Sequence, residues 1–151
     1  MFLTVLFAAC LVVITVAIHA VGLDTLLRCI MRSHALSASG FRRVTLAVIA
    51  LACWLILIHL AEISVWGLFY FWQGCLPDLG SAFYFSAGAY TTIGSGLALP
   101  AHWRMFAPLE ALTAALMFGL STGLFFAVVS RWIRNWTDWQ NALTSDLQQN
   151  K

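Results

Sequence analysis

The stretch Thr91-Thr92-Ile93-Gly94-Ser95-Gly96 follows a short aromatic segment and lies between two long apolar runs. Glycine at every second position, Gly94 and Gly96, lets the backbone visit positive φ without a Cβ clash. Successive carbonyls can then point the same way instead of alternating as in a strand. A row of such carbonyls can replace the hydration shell of a cation. Just upstream, Gln73 to Pro77 reads as a turn and Asp78 as the cap of a helix over 78–90, about 18 Å long and too short to span a bilayer. A half-helix that enters the membrane and returns through irregular backbone is tolerated only where that backbone is buried in protein or lines an aqueous path. Its carboxyl end carries about half a negative charge, which favours a cation at the membrane centre.

The rest of the 151-residue chain fits that setting. Hydrophobic residues make up 62% and charged residues 9%, and the mean hydropathy is +0.88, against about 25% charged in ordinary globular domains. This composition predicts an all-α integral membrane protein without a separate soluble domain. The net charge of +2 gives no reason to expect a nucleic-acid partner; the expected surroundings are the lipid bilayer. Residues 2–22 form a first apolar run long enough to cross it. No basic residue precedes Phe2 and Ile18-His19-Ala20 lacks a small-x-small cleavage pattern, so the run is expected to be a retained span rather than a signal peptide. His19 is expected at the interface near its end. From Leu23 to Met31 the spacing predicts an amphipathic continuation near the headgroups, broken at Ser37-Ala38-Ser39-Gly40. Residues 44–71 and 105–129 are the second and third spans, followed by a short tail over 132–151.

Seven of the eight basic residues (Arg28, Arg32, Arg42, Arg43, Arg131, Arg134, Lys151) fall on one side of this layout, with Arg104 the exception. The positive-inside rule places the linker and the tail in the cytoplasm of a multi-pass protein of the cell (inner or plasma) membrane, and the amino terminus outside. Trp66, Trp72 and Trp103, and then Trp132, Trp136 and Trp139, read as two aromatic belts, with Trp54 mid-span.

Across residues 44–131 the order of span, re-entrant helix, Thr-Ile-Gly-Ser-Gly and span resembles the potassium-channel pore-domain family. The resemblance implies a homotetramer, a pore helix at 78–90, a filter at Thr91–Gly96 and an inner helix at 105–129. It implies a potassium ion held at Thr92, Ile93, Gly94 and Ser95, by the Thr92 hydroxyl and by carbonyls, with Ile93 packed back on the pore helix. Tyr84 and Phe85 fall where the family has filter-supporting aromatics. Ser95 stands where an aromatic is usual and Leu97 where a carboxylate commonly follows, which suggests a softer outer filter. The permeant ion is thus potassium or sodium, in a potassium-preferring or a non-selective channel; a non-conducting accessory subunit is the third reading.

Glu110 in the last span reads either as a tie to backbone or hydroxyls behind the filter or as a titrating group. Gly119-Leu120-Ser121-Thr122-Gly123 either allows close helix approach or makes Gly119 and Gly123 a gating hinge, with Ser121 and Thr122 as cavity-lining candidates. His59 and Glu62, at i and i+3 near the external end of the second span, form either a polar tie between helices or a proton or cation site. Cys10, Cys29, Cys53 and Cys75 lack metal-ligand spacing. Cys10 and Cys53 read as buried apolar residues, and Cys75 as a candidate for a disulfide with another copy. No Ser/His/Asp set, paired carboxylates or metal cluster suggests an enzyme, neither early span carries the spaced arginines of a voltage sensor, and no cofactor beyond the permeant ion is expected.

Overall fold

The structure, a computed structural model, describes residues 2–32 and 41–149. The break expected at Ser37–Gly40 and the basic Lys151 lie outside the described residues, as do the side chains of Arg43 and Trp139. The described chain is helical, without strands. α1 (Phe2–Arg32), α2 (Phe41–Trp72), the half-helix α3 (Leu79–Tyr90) and α4 (Phe106–Gln149) follow in order, with a single 3-10 turn at Ala101–Trp103 before α4. α1, α2 and α4 are each long and apolar enough to cross a membrane. Large apolar side chains such as Leu3, Val13, Leu57, Leu60, Leu116 and Phe126 are exposed along them, as lipid-facing surfaces require.

α2 ends where Gly74 takes φ 63°. The Gly74 N–H bonds the Phe71 carbonyl at 3.0 Å and the Cys75 N–H bonds the Tyr70 carbonyl at 2.9 Å, a Schellman closure that returns the chain toward the membrane. α3 starts at the extended Asp78, whose carboxylate accepts from the Ser81 N–H (2.9 Å) and the Ser81 hydroxyl (2.6 Å). These bonds hold the Asp78 carboxyl below the usual carboxylate range.

The interior has three layers. One end is an aromatic cluster in which Phe69 stacks on Phe106 at 5.2 Å, Trp103 packs edge-on against both, and Trp66, Tyr70 and Phe85 complete the packing. The other end is built of Leu26, Ile30, Leu51, Leu55, Ile58, Val128 and Trp132. Between them lie the buried polar residues Thr15, His19, Glu62, Ser86, Glu110, Thr113 and Ser121. Exposed Arg28, Arg32, Arg42, Arg131 and Arg134 belong to the helix segments around the second cluster, whereas Arg104 stands beside the aromatic one.

Several sequence expectations change here. After Leu23, where an amphipathic continuation is expected, α1 runs on as one helix with Leu26 and Ile30 buried against α2 and α4. α4 does not stop at 129; no Gly or Pro interrupts residues 124–149, and buried Trp132 anchors the helix beyond the apolar run. Trp132, Trp66 and Trp103 are therefore core residues rather than belt residues, and Trp66 donates its indole N–H to Thr15 Oγ1 at 2.9 Å. Trp72 is 89% exposed. Cys75 is buried in the aromatic cluster, where a disulfide to another copy has no access and burial pushes its thiol pKa up. Cys10 and Cys53 are exposed, because each falls on the outward face of its helix.

Candidate functional site

The site is built on the carboxyl end of α3. The Thr91 N–H and its hydroxyl both donate to the Ala87 carbonyl (3.0 and 2.7 Å), and the Thr92 N–H donates to Ala89 (3.1 Å), so the helix tightens and ends. Positive φ then recurs at every second residue: Thr92 at 61°, Gly94 at 82° and Gly96 at 72°. This alternation of hand is the pattern that lines consecutive carbonyls along one side. Thr92 is the unforeseen member, since a β-branched residue rarely takes the left-handed region unless its surroundings impose it.

The segment is seated on α3 by one close contact. The Gly94 N–H donates to the Gly88 carbonyl at 2.9 Å. A Cβ on Gly88 would lie 2.9 Å from the Gly94 carbonyl carbon and 3.1 Å from Ser95 Cβ. Gly94 and Ser95 thus occupy the space beside α3 expected for Ile93. Ile93 instead points away and is 85% exposed, which corrects the expectation that it packs on the pore helix. Thr91, Thr92, Gly94 and Gly96 are exposed and Ser95 is half-buried. Behind them, Phe85, Leu99 and Arg104 line a recess closed by residues 94–98, which puts an arginine beside the outer part of the segment.

Two buried carboxyl groups hold α3 from behind. Glu110, on α4, meets the hydroxyls of Ser86 (2.5 Å) and Tyr70 (2.7 Å), and Ser86 also reaches the Ile63 carbonyl (2.9 Å). Glu62, on α2, accepts from the Tyr90 hydroxyl and from His19 Nδ1 at 2.8 Å. His59 Nδ1 lies 2.8 Å from the Tyr90 oxygen and 3.5 Å from Glu62, and Ser121 Oγ lies 3.1 Å from His59 Nε2 and 3.4 Å from His19 Nε2. Tyr90 is the last residue of α3, and its ring packs on Phe118 of α4 at 5.3 Å. The half-helix therefore ends against the middles of α2 and α4.

Of the expected supports, Phe85 is buried edge-on against Tyr70 at 5.2 Å, Tyr84 is 63% exposed on the outer face of α3, and Glu110 lies behind α3. His59 and Glu62 sit mid-span rather than near an end, and His19 is buried in their network rather than interfacial. Ser121 turns into that network instead of toward a cavity, while Thr122 is exposed. α4 runs unbroken through Gly119 and Gly123, and among the described residues nothing beyond the local turns of α4 itself lies within 4 Å of a Cβ added at either. Within the described residues α1 approaches α2 closely at Gly22, where an added Cβ would meet Ile58 at 2.7 Å and where Trp54 donates to the Gly22 carbonyl at 3.0 Å.

The family model described as an ion channel matches residues 56–131, half of the chain. The chain belongs to the two-transmembrane potassium-channel pore-domain family. In this ion channel the match takes in the second half of α2, α3, the Thr91–Gly96 segment and α4 to Arg131, whereas α1 lies outside it. No curated protein and no solved structure matches the chain.

Proposed function

We propose that four copies of this ion channel form a ring in the cell membrane, amino termini outside and carboxyl termini in the cytoplasm, and conduct potassium passively through Thr92-Ile93-Gly94-Ser95-Gly96. The observation that carries this reading is the alternation of positive φ at residues 92, 94 and 96 immediately after a half-helix that ends at mid-span. Irregular backbone at that depth needs protein or water around it, and residues 91–94 have little cover from their own chain. A ring of copies supplies both. Exposed Tyr84 and Ile93 are then surfaces for neighbouring copies, and the basic residues gathered at one end support this orientation.

A non-selective monovalent cation channel is the second reading, and Ser95 favours it. Its short side chain rests beside Gly88 and accepts from the Leu97 N–H at 3.3 Å, a lighter brace for the outer carbonyls than an aromatic ring. Arg104 beside the same segment lowers the attraction of the mouth for cations. The test is ion flux from liposomes containing the purified protein, under a potassium and then a sodium gradient, beside Ser95→Tyr, with oligomer mass measured in parallel. Potassium flux well above sodium flux supports the first reading. Equal fluxes that become potassium-selective in the variant support the second. Absence of both fluxes from protein of tetramer mass refutes both and leaves a non-conducting accessory subunit.

A further inference from the structure

Most of the polar layer is accounted for by hydrogen bonds that anchor α3, but one cluster within it has a composition that anchoring does not require. His19 from α1, His59 and Glu62 from α2 and Tyr90 from α3 converge on one point, and one ligand atom from each of His19, His59 and Glu62 lies within 4.8 Å of the others. His19 and Glu62 are 1% and 0% exposed and the His59 side chain 14%. The observed separations from the Glu62 oxygens are 2.8 Å to His19 Nδ1 and 3.5 Å to His59 Nδ1. Donors bound at about 2.0–2.1 Å around a tetrahedral zinc ion stand roughly 3.3–3.4 Å apart, so these two separations lie within about half an ångström of a tetrahedral set, and the Tyr90 oxygen, now in hydrogen-bond contact with Glu62, draws back to join it.

Two further features suit a metal. Both imidazoles turn Nδ1 toward the carboxylate and Nε2 toward the single Ser121 hydroxyl, at 3.4 and 3.1 Å. A ligating histidine characteristically gives its second ring N–H to such an oxygen, which fixes the tautomer and aims the ring. Charge also closes: a divalent ion with one Glu62 carboxylate, one Tyr90 phenolate and two neutral imidazoles is electroneutral, as a group in the middle of a bilayer must nearly be. Magnesium and calcium prefer all-oxygen shells and fit two imidazoles poorly.

We infer that His19, His59, Glu62 and Tyr90 form a binding site for a divalent transition-metal ion of the zinc class, with Ser121 orienting both imidazoles. On binding, the Tyr90 O–H bond breaks, its oxygen joins the metal and the proton leaves to buffer. Each imidazole moves its ring proton from Nδ1 to Nε2, so one proton is released per ion and no redox partner is needed. The ion would tie α1, which lies outside the family match, to the residue immediately before Thr91-Thr92. The inference does not depend on conduction.

The test uses the full chain, purified in detergent and stripped with a chelator, in a Cys10→Ser/Cys29→Ser/Cys53→Ser background because those thiols are exposed. Cobalt(II) titration should give the intense visible bands of a four-coordinate N/O site at one equivalent per chain. One equivalent of zinc should bleach them, with release of one proton. Ser121→Ala, a small change that keeps the packing, should weaken affinity about 10- to 100-fold, and His19→Gln or Glu62→Gln should abolish the bands. Failure of the parent protein to bind either ion overturns the inference whatever the variants do, as does binding that survives His19→Gln and Glu62→Gln together. Because the readout is spectroscopic, a protein that binds zinc without conducting separates this inference from the proposed function.

Discussion

Glu110 and Glu62 perform the same mechanical task at two points of one half-helix, with different chemistry. Glu110 reaches from α4 to the middle of α3 and meets only hydroxyls, Ser86 and Tyr70. Glu62 reaches from α2 to the last residue of α3 and shares its acceptors between a phenol and the imidazole of His19. The first is a closed tie within residues 56–131, the stretch the family match covers. The second draws in α1, from outside that stretch. The half-helix is thus hung from the pore scaffold at its centre and from the additional helix at its tip, one residue from the segment with alternating φ.

The largest effect should come from cutting the first tie. Glu110→Ala leaves the buried Tyr70 hydroxyl without its acceptor, at roughly 1–3 kcal/mol, takes one of two acceptors from Ser86, and opens a cavity where the buried side chain stood. It should sharply lower the melting temperature in detergent, whereas Glu110→Gln, which keeps an acceptor, should lower it far less. Tyr90→Phe removes one donor from Glu62 and leaves His19 in place; about 1.5–3 kcal/mol, the range for hydrogen bonds to charged groups, is expected in the same assay. If Tyr90→Phe proved more damaging than Glu110→Ala, the ranking of the two ties would be reversed.

Gly88→Ala tests the seat between them. Its Cβ would intrude on the Gly94 carbonyl, so overpacking of about 1–3 kcal/mol should move the segment and alter flux more than it alters thermal stability. Trp54→Phe deletes the bond to Gly22 without disturbing either carboxylate and should cost about 0.5–1.5 kcal/mol. The smallest effect belongs to Asp78 at the far end of α3. Its folded pKa is depressed, so its stabilisation is present above the ordinary Asp pKa of about 3.9 and is lost as pH falls through the lower folded value. Asp78→Asn should flatten that acid-side decline in melting temperature.

What could be read from the sequence was local. Three apolar runs, the turn over 73–77 and the Asp78 cap depend on nearest neighbours along the chain, and they are present in the structure. The misread residues depend on partners far away in sequence. An apolar run ending at residue 22 puts His19 at the interface; the helix continues to Arg32, which moves His19 to mid-span opposite Glu62, 43 residues away. Trp132 and Leu26 looked superficial for the same reason, since their shared cluster draws on three helices. Ile93 was placed by resemblance, but Gly88 gives its space to Gly94 and Ser95. Gly88, within a helix and not needed for a turn, is the available sign of that close approach.

Conduction by residues 92–96 is the central claim, and current across a planar bilayer, with potassium on one side and sodium on the other, tests it most directly. The account predicts currents from the tetramer that reverse at a potential favouring potassium and that Gly88→Ala reduces or makes less selective. Silent bilayers containing protein verified as tetrameric would contradict it, as would currents that Gly88→Ala leaves unchanged in both size and reversal potential.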